Sequence, residues 1–175
     1  MSGSDAPDSP GDGTAEGEAD APGLTHVRAD GSAHMVDVSA KAVTAREASA
    51  AGRVLLGAAA VAALRGGGLP KGDALAVARV AGIQAVKRTP DLIPLAHPIA
   101  VHGVVLDLVV VDEGVEITAT VRTADRTGIE MEALTAVSVA ALALIDMVKA
   151  VDKHGRITDI RVTAKSGGRS GDWHE

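Results

Sequence analysis

The chain's 175 residues suffice for one ordinary domain of about 100–200 residues and not for two. Its 46% hydrophobic content is mostly alanine (33) and valine (22), with no Phe or Tyr, Trp173 as the sole aromatic, and no cysteine; this excludes aromatic platforms for single-stranded nucleic acid, membrane aromatic belts, disulfide frames, thiolate metal sites and Cys nucleophiles, and fits a reducing cytoplasm. The net charge of −6 arises wholly within residues 1–23, where Asp5, Asp8, Asp12, Glu16, Glu18 and Asp20 face no Lys or Arg, so the rest is neutral and has no basic footprint for duplex nucleic acid or an anionic membrane.

Residues 1–23 are Gly, Asp, Ala, Pro, Ser and Glu with almost no large aliphatic, which predicts a disordered acidic tail. The tail has no basic or apolar region of a signal peptide, and no later apolar run reaches the ~20 residues of a membrane span. Residues 24–175 read as a single domain. Asp30-Gly31 is a turn between 26–29 and 35–39, which suggests a peripheral hairpin or extended arm. Residues 45–56 read as a strand, and 58–65 as a helix stopped by Gly66, Gly67 and Gly68. A second helix begins near Gly72 or Asp73 and runs to about Arg88, with Asp73 placed to satisfy free amides at its start. Pro90, Pro94 and Pro98 forbid helix through 92–99. The β-branched run 101–111, the tight turn Asp112-Glu113-Gly114, and the alternation of Val115, Ile117, Ala119 and Val121 with Glu116, Thr118, Thr120 and Arg122 predict a hairpin with one solvated face. Residues 130–152 form the strongest helix, apolar over most of its circumference and so largely buried. The alternation of Ile160 and Val162 makes 157–164 a final strand, and a Gly-rich tail follows from about 165. This order suits an α+β fold of the split βαβ, ferredoxin-like kind, an antiparallel sheet with helices packed on one face.

Several stretches carry polar groups in chemically suggestive places. GGGLPKGD at 66–73 is not a P-loop, because a proline precedes the lysine and no Ser or Thr follows it. A helix stop followed by a helix start explains the stretch, yet Lys71 beside a helix N-terminus also adds positive potential where free amides favour a phosphate. His97 lies in LIPLAHPI (92–99), whose prolines hold the imidazole in one orientation; a satisfied core histidine and a catalytic or orienting one both fit. No His pair at i, i+4 and no H-E-x-x-H is present, so no metal site is expected. Glu130 and Glu132 bracket Met131 at the start of the long helix, where the helix dipole favours carboxylates. Asp146 and Lys149 are neighbours three residues apart on an otherwise apolar helix. They read either as a structural ion pair or as a carboxylate and ammonium whose pKa values burial and mutual attraction tune for proton transfer. Glu132 and Asp146 are separated by about 21 Å along a straight helix at ~1.5 Å per residue. One small substrate cannot touch both, so if both ends belong to active sites the simplest arrangement is a site shared between subunits, with one end supplied by each chain. KSGGRSGD at 165–172 has the cations, serines and glycines to wrap an anion, or it is a floppy tail.

Together the stretches MVDVS (35–39), PKGD (70–73), AGIQAVKRT (81–89), LIPLAHP (92–98), TGIEMEALTA (127–136), DMVKAVD (146–152) and KSGGRSGDW (165–173) resemble the cyclic pyranopterin monophosphate synthase family, the molybdenum cofactor biosynthesis protein C family. The resemblance runs from about Leu24 to Trp173. It implies a ferredoxin-like subunit in a homohexamer, a trimer of dimers with active sites at dimer interfaces, and a phosphorus–oxygen lyase that needs no cofactor. The family converts 3′,8-cyclo-7,8-dihydroguanosine 5′-triphosphate to the cyclic pyranopterin monophosphate and releases diphosphate. By the same resemblance Asp146, Lys149 and Lys71 are catalytic, Leu95, Ala96, His97, Met131 and Glu132 contact the substrate, and Arg46, Glu130 and Lys165 line the pocket. The sequence departs from the family pattern at Ala96, where a cysteine is common, and at Ile145, where an aromatic is common; the contact at Ala96 then falls to backbone. The competing classes are a non-catalytic nucleotide-binding or regulatory module and an assembly scaffold, since a ferredoxin-like fold hosts many functions. A charge pair on an apolar helix is more than a pure anion binder requires.

Overall fold

The computed structural model describes residues 30–69, 71–169 and 171–175. The chain divides into two compact units, Met1–His34 and Met35–Glu175. Of the first, the turn at Asp30-Gly31 is described: the Asp30 carboxylate accepts from the Ser32 amide and hydroxyl at 2.9 and 2.6 Å. The acidic tail and the arm at 26–29 lie outside the described residues.

In the second unit, the expected arm at 35–39 carries no strand. Asp37 Oδ1 accepts from the Ser39 amide at 2.8 Å, and this side-chain turn diverts the backbone from a ladder. The regular elements are β1 (Thr44–Leu55), α1 (Ala58–Gly66), α2 (Ala74–Val86), α3 (Thr89–Leu92), β2 (Gly103–Val111), β3 (Gly114–Asp125), α4 (Glu130–Val148), β4 (Arg156–Ser166) and β5 (Trp173–His174). They build one antiparallel sheet in the order β2-β3-β1-β4-β5. Its first four strands are the ferredoxin-like arrangement expected from the element order.

Local chemistry explains most boundaries. Gly67 takes the left-handed conformation (φ 66°) that ends α1, and Gly68 N donates to Ala63 O. Asp73 Oδ1 accepts from Ala76 N at 3.0 Å and starts α2. Pro90 occupies the first turn of α3, the one place in a helix where its missing N–H costs nothing. Residues 112 and 113 join β2 to β3, and Gly114 (φ 143°) lies so close to the Val54 carbonyl that a side chain has no room.

The core lies between the sheet and α4 with α2. Val115, Ile117, Ala119 and Val121 of β3 face it as expected, beside Ala48, Ala50 and Val54 of β1 and Leu106 and Leu108 of β2. From α4 come Ala133, Ala136, Val137, Ala140, Ala141 and Leu144, at helical three- and four-residue intervals. Each fully buried Val, Ile or Leu stabilises this packing by about 1.5–3 kcal/mol. Alanine serves the close approach of α2 to α4: a Cβ on Gly82 would lie 2.8 Å from Ala136 O and 3.1 Å from Ala140 Cβ. α4 is long and apolar enough to cross a membrane by length and composition, but more than half of its apolar stretch is buried against the sheet.

Three expectations need correction. α4 ends at Val148 rather than 152, because Asp152 leaves the helix to accept from the Gly57 amide at 2.6 Å and the His154 amide at 2.8 Å. The alternation expected in the last strand is broken by a bulge at Asp159, whose φ is 58°. Asp159 and Ile160 both stand opposite Gly52, and Ile160 remains 37% exposed. Finally, the segment from 165 continues β4 through Ser166 and returns as β5, with Lys165 opposite Trp173.

Candidate active site

The candidate residues gather at the two ends of α4. At its C-terminal end Asp146 accepts from two lysines. Lys149, one turn on, donates to Asp146 Oδ1 at 2.6 Å. Lys71, from the connection between α1 and α2, donates to Asp146 Oδ2 and to the Asp146 carbonyl, both at 2.8 Å. The bond from Lys149, and then that from Lys71, hold the Asp146 carboxyl well below its ordinary range, at about 2. The expectation that burial tunes this pair is not met: the Asp146 side chain is 56% exposed, because it lies on the outward flank of the helix, and its two lysine partners outweigh a small opposing desolvation. Lys71 also differs from expectation. It spans to the negative end of α4, where cations are favoured, and Asp73 instead serves the amides of α2. A hollow of about 340 Å³ opens beside Gly72 and Asp73 in the same connection.

At the opposite end, Arg46 near the start of β1, Glu130, Met131 and Glu132 in the first turn of α4, and Lys165 near the end of β4 converge through the strand register. Lys165 Nζ donates to Glu130 Oε1 at 3.1 Å, both side chains about three-quarters buried. Arg46 Nε donates to the Asp125 carbonyl at 3.0 Å, and its guanidinium lies against Gly168, where a Cβ would collide with it. Glycine at 168 thus lets the backbone there lie against the arginine. The amides of the 165–172 loop are only partly open to an anion, since Gly167 N donates to Asp172 Oδ1 at 2.9 Å. A hollow of about 220 Å³ adjoins Lys165, Asp172 and Glu47.

Glu132 is 2% exposed. Desolvation pushes its carboxyl up to about 7, reinforced by the Glu130 charge and opposed by its own backbone N–H. Met131 beside it is 41% exposed. The two carboxylates flanking Met131 therefore have different environments, Glu130 paired with Lys165 and Glu132 desolvated.

Leu95, Ala96 and His97 follow α3 in irregular backbone and are half-buried. Thr123 Oγ1 donates to the Ala100 carbonyl and His102 N to the Arg122 carbonyl, so this stretch is tied to the end of β3 that leads into α4. His97 Nε2 bonds the Val36 carbonyl at 2.7 Å. Ala96 N donates to Ile93 O at 3.0 Å.

The geometry adds two residues that sequence reading did not single out: Asp37, beside His97, and Asp125, whose carbonyl holds Arg46. Both fall outside helical spacing, and their only signal was position, Asp37 within MVDVS and Asp125 at the close of an alternating strand. Among the described residues no three His, Asp or Glu side chains form a metal-binding group. A larger hollow of about 440 Å³ lies on the open face of the sheet beside Arg53, Glu116, Asp159 and Arg161 and contains none of the candidate residues.

Fold and side chains together define a ferredoxin-like enzyme with carboxylates and cationic groups at both ends of one core helix. The chain belongs to the MoaC family, whose model matches residues 35–168. The cyclic pyranopterin monophosphate synthase of Streptomyces coelicolor is 69% identical over 150 residues, which cover 86% of this chain and 88% of that protein. Proteins of the same name from a Nocardioides species and from Corynebacterium glutamicum are 65% and 57% identical, with 86% of this chain covered in each case and 94% and 96% of theirs.

Proposed function

We propose that this chain is a lyase of molybdenum cofactor biosynthesis, a cyclic pyranopterin monophosphate synthase. It converts (8S)-3′,8-cyclo-7,8-dihydroguanosine 5′-triphosphate to cyclic pyranopterin monophosphate with release of diphosphate. It works in the cytoplasm as a homohexamer, a trimer of dimers, in which each site takes the Lys71–Asp146–Lys149 end of one copy and the Arg46–His97–Glu132–Lys165 end of another. The observation that carries the reading is the carboxylate of Asp146 clasped by two lysines within a stretch matched by the family.

The residue types suit the chemistry. Rebuilding the guanine-derived ring system as a pterin moves protons to and from ring nitrogens and carbons. Asp146, with its carboxyl at about 2, stays anionic near neutral pH. It orients the ammonium of Lys149, which is the proton donor of the pair, and that of Lys71. Glu132, at about 7, is able to take up or release a proton under the same conditions. Closure of the cyclic phosphate forms a bond from a sugar oxygen to the α-phosphorus and breaks the bond to diphosphate, while the hydroxyl proton passes to a base. Arg46, Lys165 and Lys71 supply cationic stabilisation for the departing diphosphate.

Incubating the purified chain with the cyclic triphosphate and measuring diphosphate tests the reading directly. Stoichiometric diphosphate and a pterin product are expected, and an intact substrate would overturn it.

A further inference from the structure

We infer that the segment from Val36 to Lys41 is a positioning strap that fixes His97 in the tautomer protonated on Nε2, leaving Nδ1 as the acceptor the site presents to its substrate. The inference rests on the proposed function for the word substrate, but the tautomer itself follows from the geometry. A carbonyl oxygen only accepts hydrogen bonds, so the 2.7 Å contact between His97 Nε2 and the Val36 carbonyl places the hydrogen on Nε2. Among the described residues Nδ1 has no hydrogen-bond partner, and it is not sealed from solvent. A neutral imidazole anchored at one nitrogen offers a lone pair at the other.

The strap is held in shape along its length. Asp37 Oδ1 accepts from Ser39 N at 2.8 Å, Lys41 N donates to Val38 O at 3.0 Å, and Arg126 Nε, just before α4, donates to the Lys41 carbonyl at 2.9 Å. The Asp37 carboxyl is held below its ordinary range by the Ser39 amide first, then by the Ser39 hydroxyl. The side chain that shapes the turn thus belongs to the residue next to Val36, whose carbonyl anchors the ring. Asp37 acts through His97 and is a positioning residue.

The test uses the full-length, ¹⁵N-labelled protein above the titration range of histidine, with the His97 ring signals assigned by their loss in His97→Gln. In the wild type a proton on Nε2 and a bare Nδ1 are expected; a proton on Nδ1 overturns the inference without recourse to any variant. Asp37→Ala removes the turn, and it is expected to mix the two tautomers and lower kcat about tenfold while KM stays within about twofold. Asp37→Asn keeps the acceptor for Ser39 N and is expected to restore both readouts. Unchanged ring signals in Asp37→Ala, whatever its rate, sink the strap. Absence of diphosphate release from the wild type would instead count against the proposed function and leave the tautomer result standing.

Discussion

Asp146 and Glu132 are both carboxylates on α4, and their surroundings push them in opposite directions, one to about 2 and the other to about 7. Asp146 therefore contributes no ionisation to a pH–rate profile above pH 4, and what it contributes is the placement of Lys149 and Lys71. Lys149→Ala and Lys71→Ala should each lower kcat by about 10²–10⁴-fold, the usual range for a positioned proton donor. Diphosphate release measures this, and sedimentation should show assembly unchanged. For Glu132 the consequence is in stability. Its folded pKa lies above the ordinary value of 4.5, so the folded state holds the proton more tightly than the unfolded chain does. Its contribution is fully present below about pH 4.5, declines as the pH rises toward 7 and is lost above it. Glu132→Gln should flatten that decline, and Tm at pH 5 and pH 8 for the two proteins is the comparison; parallel losses would contradict the assignment. Much of this scale was legible, since Glu130, Glu132, Asp146 and Lys149 announce themselves by their spacing on one helix. The partner of Lys71 was not, because it lies 75 residues away in sequence. The outward rotation of Asp146 was also hidden by a helix apolar almost all round.

Hydrophobic period and punctuation gave α2, the β2–β3 hairpin and the buried face of β3, since there the local signal and the tertiary environment agree. They missed where long-range bonds override local preference. Residues 149–152 (Lys-Ala-Val-Asp) offer no local stop signal, yet Asp152 abandons the helix to accept from the amide of Gly57 at the start of α1. In β4 the bulge at Asp159 resets the alternation, and a left-handed Asp has no signature that a turn Asp lacks. β5 comes from a Gly-rich segment whose composition argued for a loose tail. The junction of α2, α4 and β2 shows how tightly these elements are set. Besides its approach to α4, any Cβ on Gly82 would collide with Leu106 Cδ2. Gly82→Val should destabilise the fold by about 3 kcal/mol through overpacking, read as a drop in the denaturant midpoint with an unchanged slope. A neutral result would mean that α2 shifts freely on α4.

At the scale of the whole molecule, the decisive feature is that one helix separates two groups of candidate residues, at Glu130–Glu132 and at Asp146. The hollow beside Lys165 measures about 220 Å³, below the roughly 300–1,000 Å³ of a small-molecule cleft. A separate hollow of about 340 Å³ lies beside Gly72 and Asp73, next in sequence to Lys71, and residues 132 and 146 are about 21 Å apart along α4 at ~1.5 Å per residue. If a second copy completes each site, two inactive variants damaged at opposite ends must complement one another. In a two-fold dimer of Lys149→Ala with Glu132→Gln, one site receives both lesions and the other receives none. Random mixing makes half of all dimers mixed, so activity should recover to about a quarter of wild type, as two-fold symmetry dictates. The subunits are exchanged by dilution and reconcentration, and diphosphate release is measured before and after mixing. Activity that stays at the sum of the two parents despite proven exchange would place each site within a single copy. Recovery near a quarter would fix the two-fold interface as the place where the ends of α4 from different chains meet.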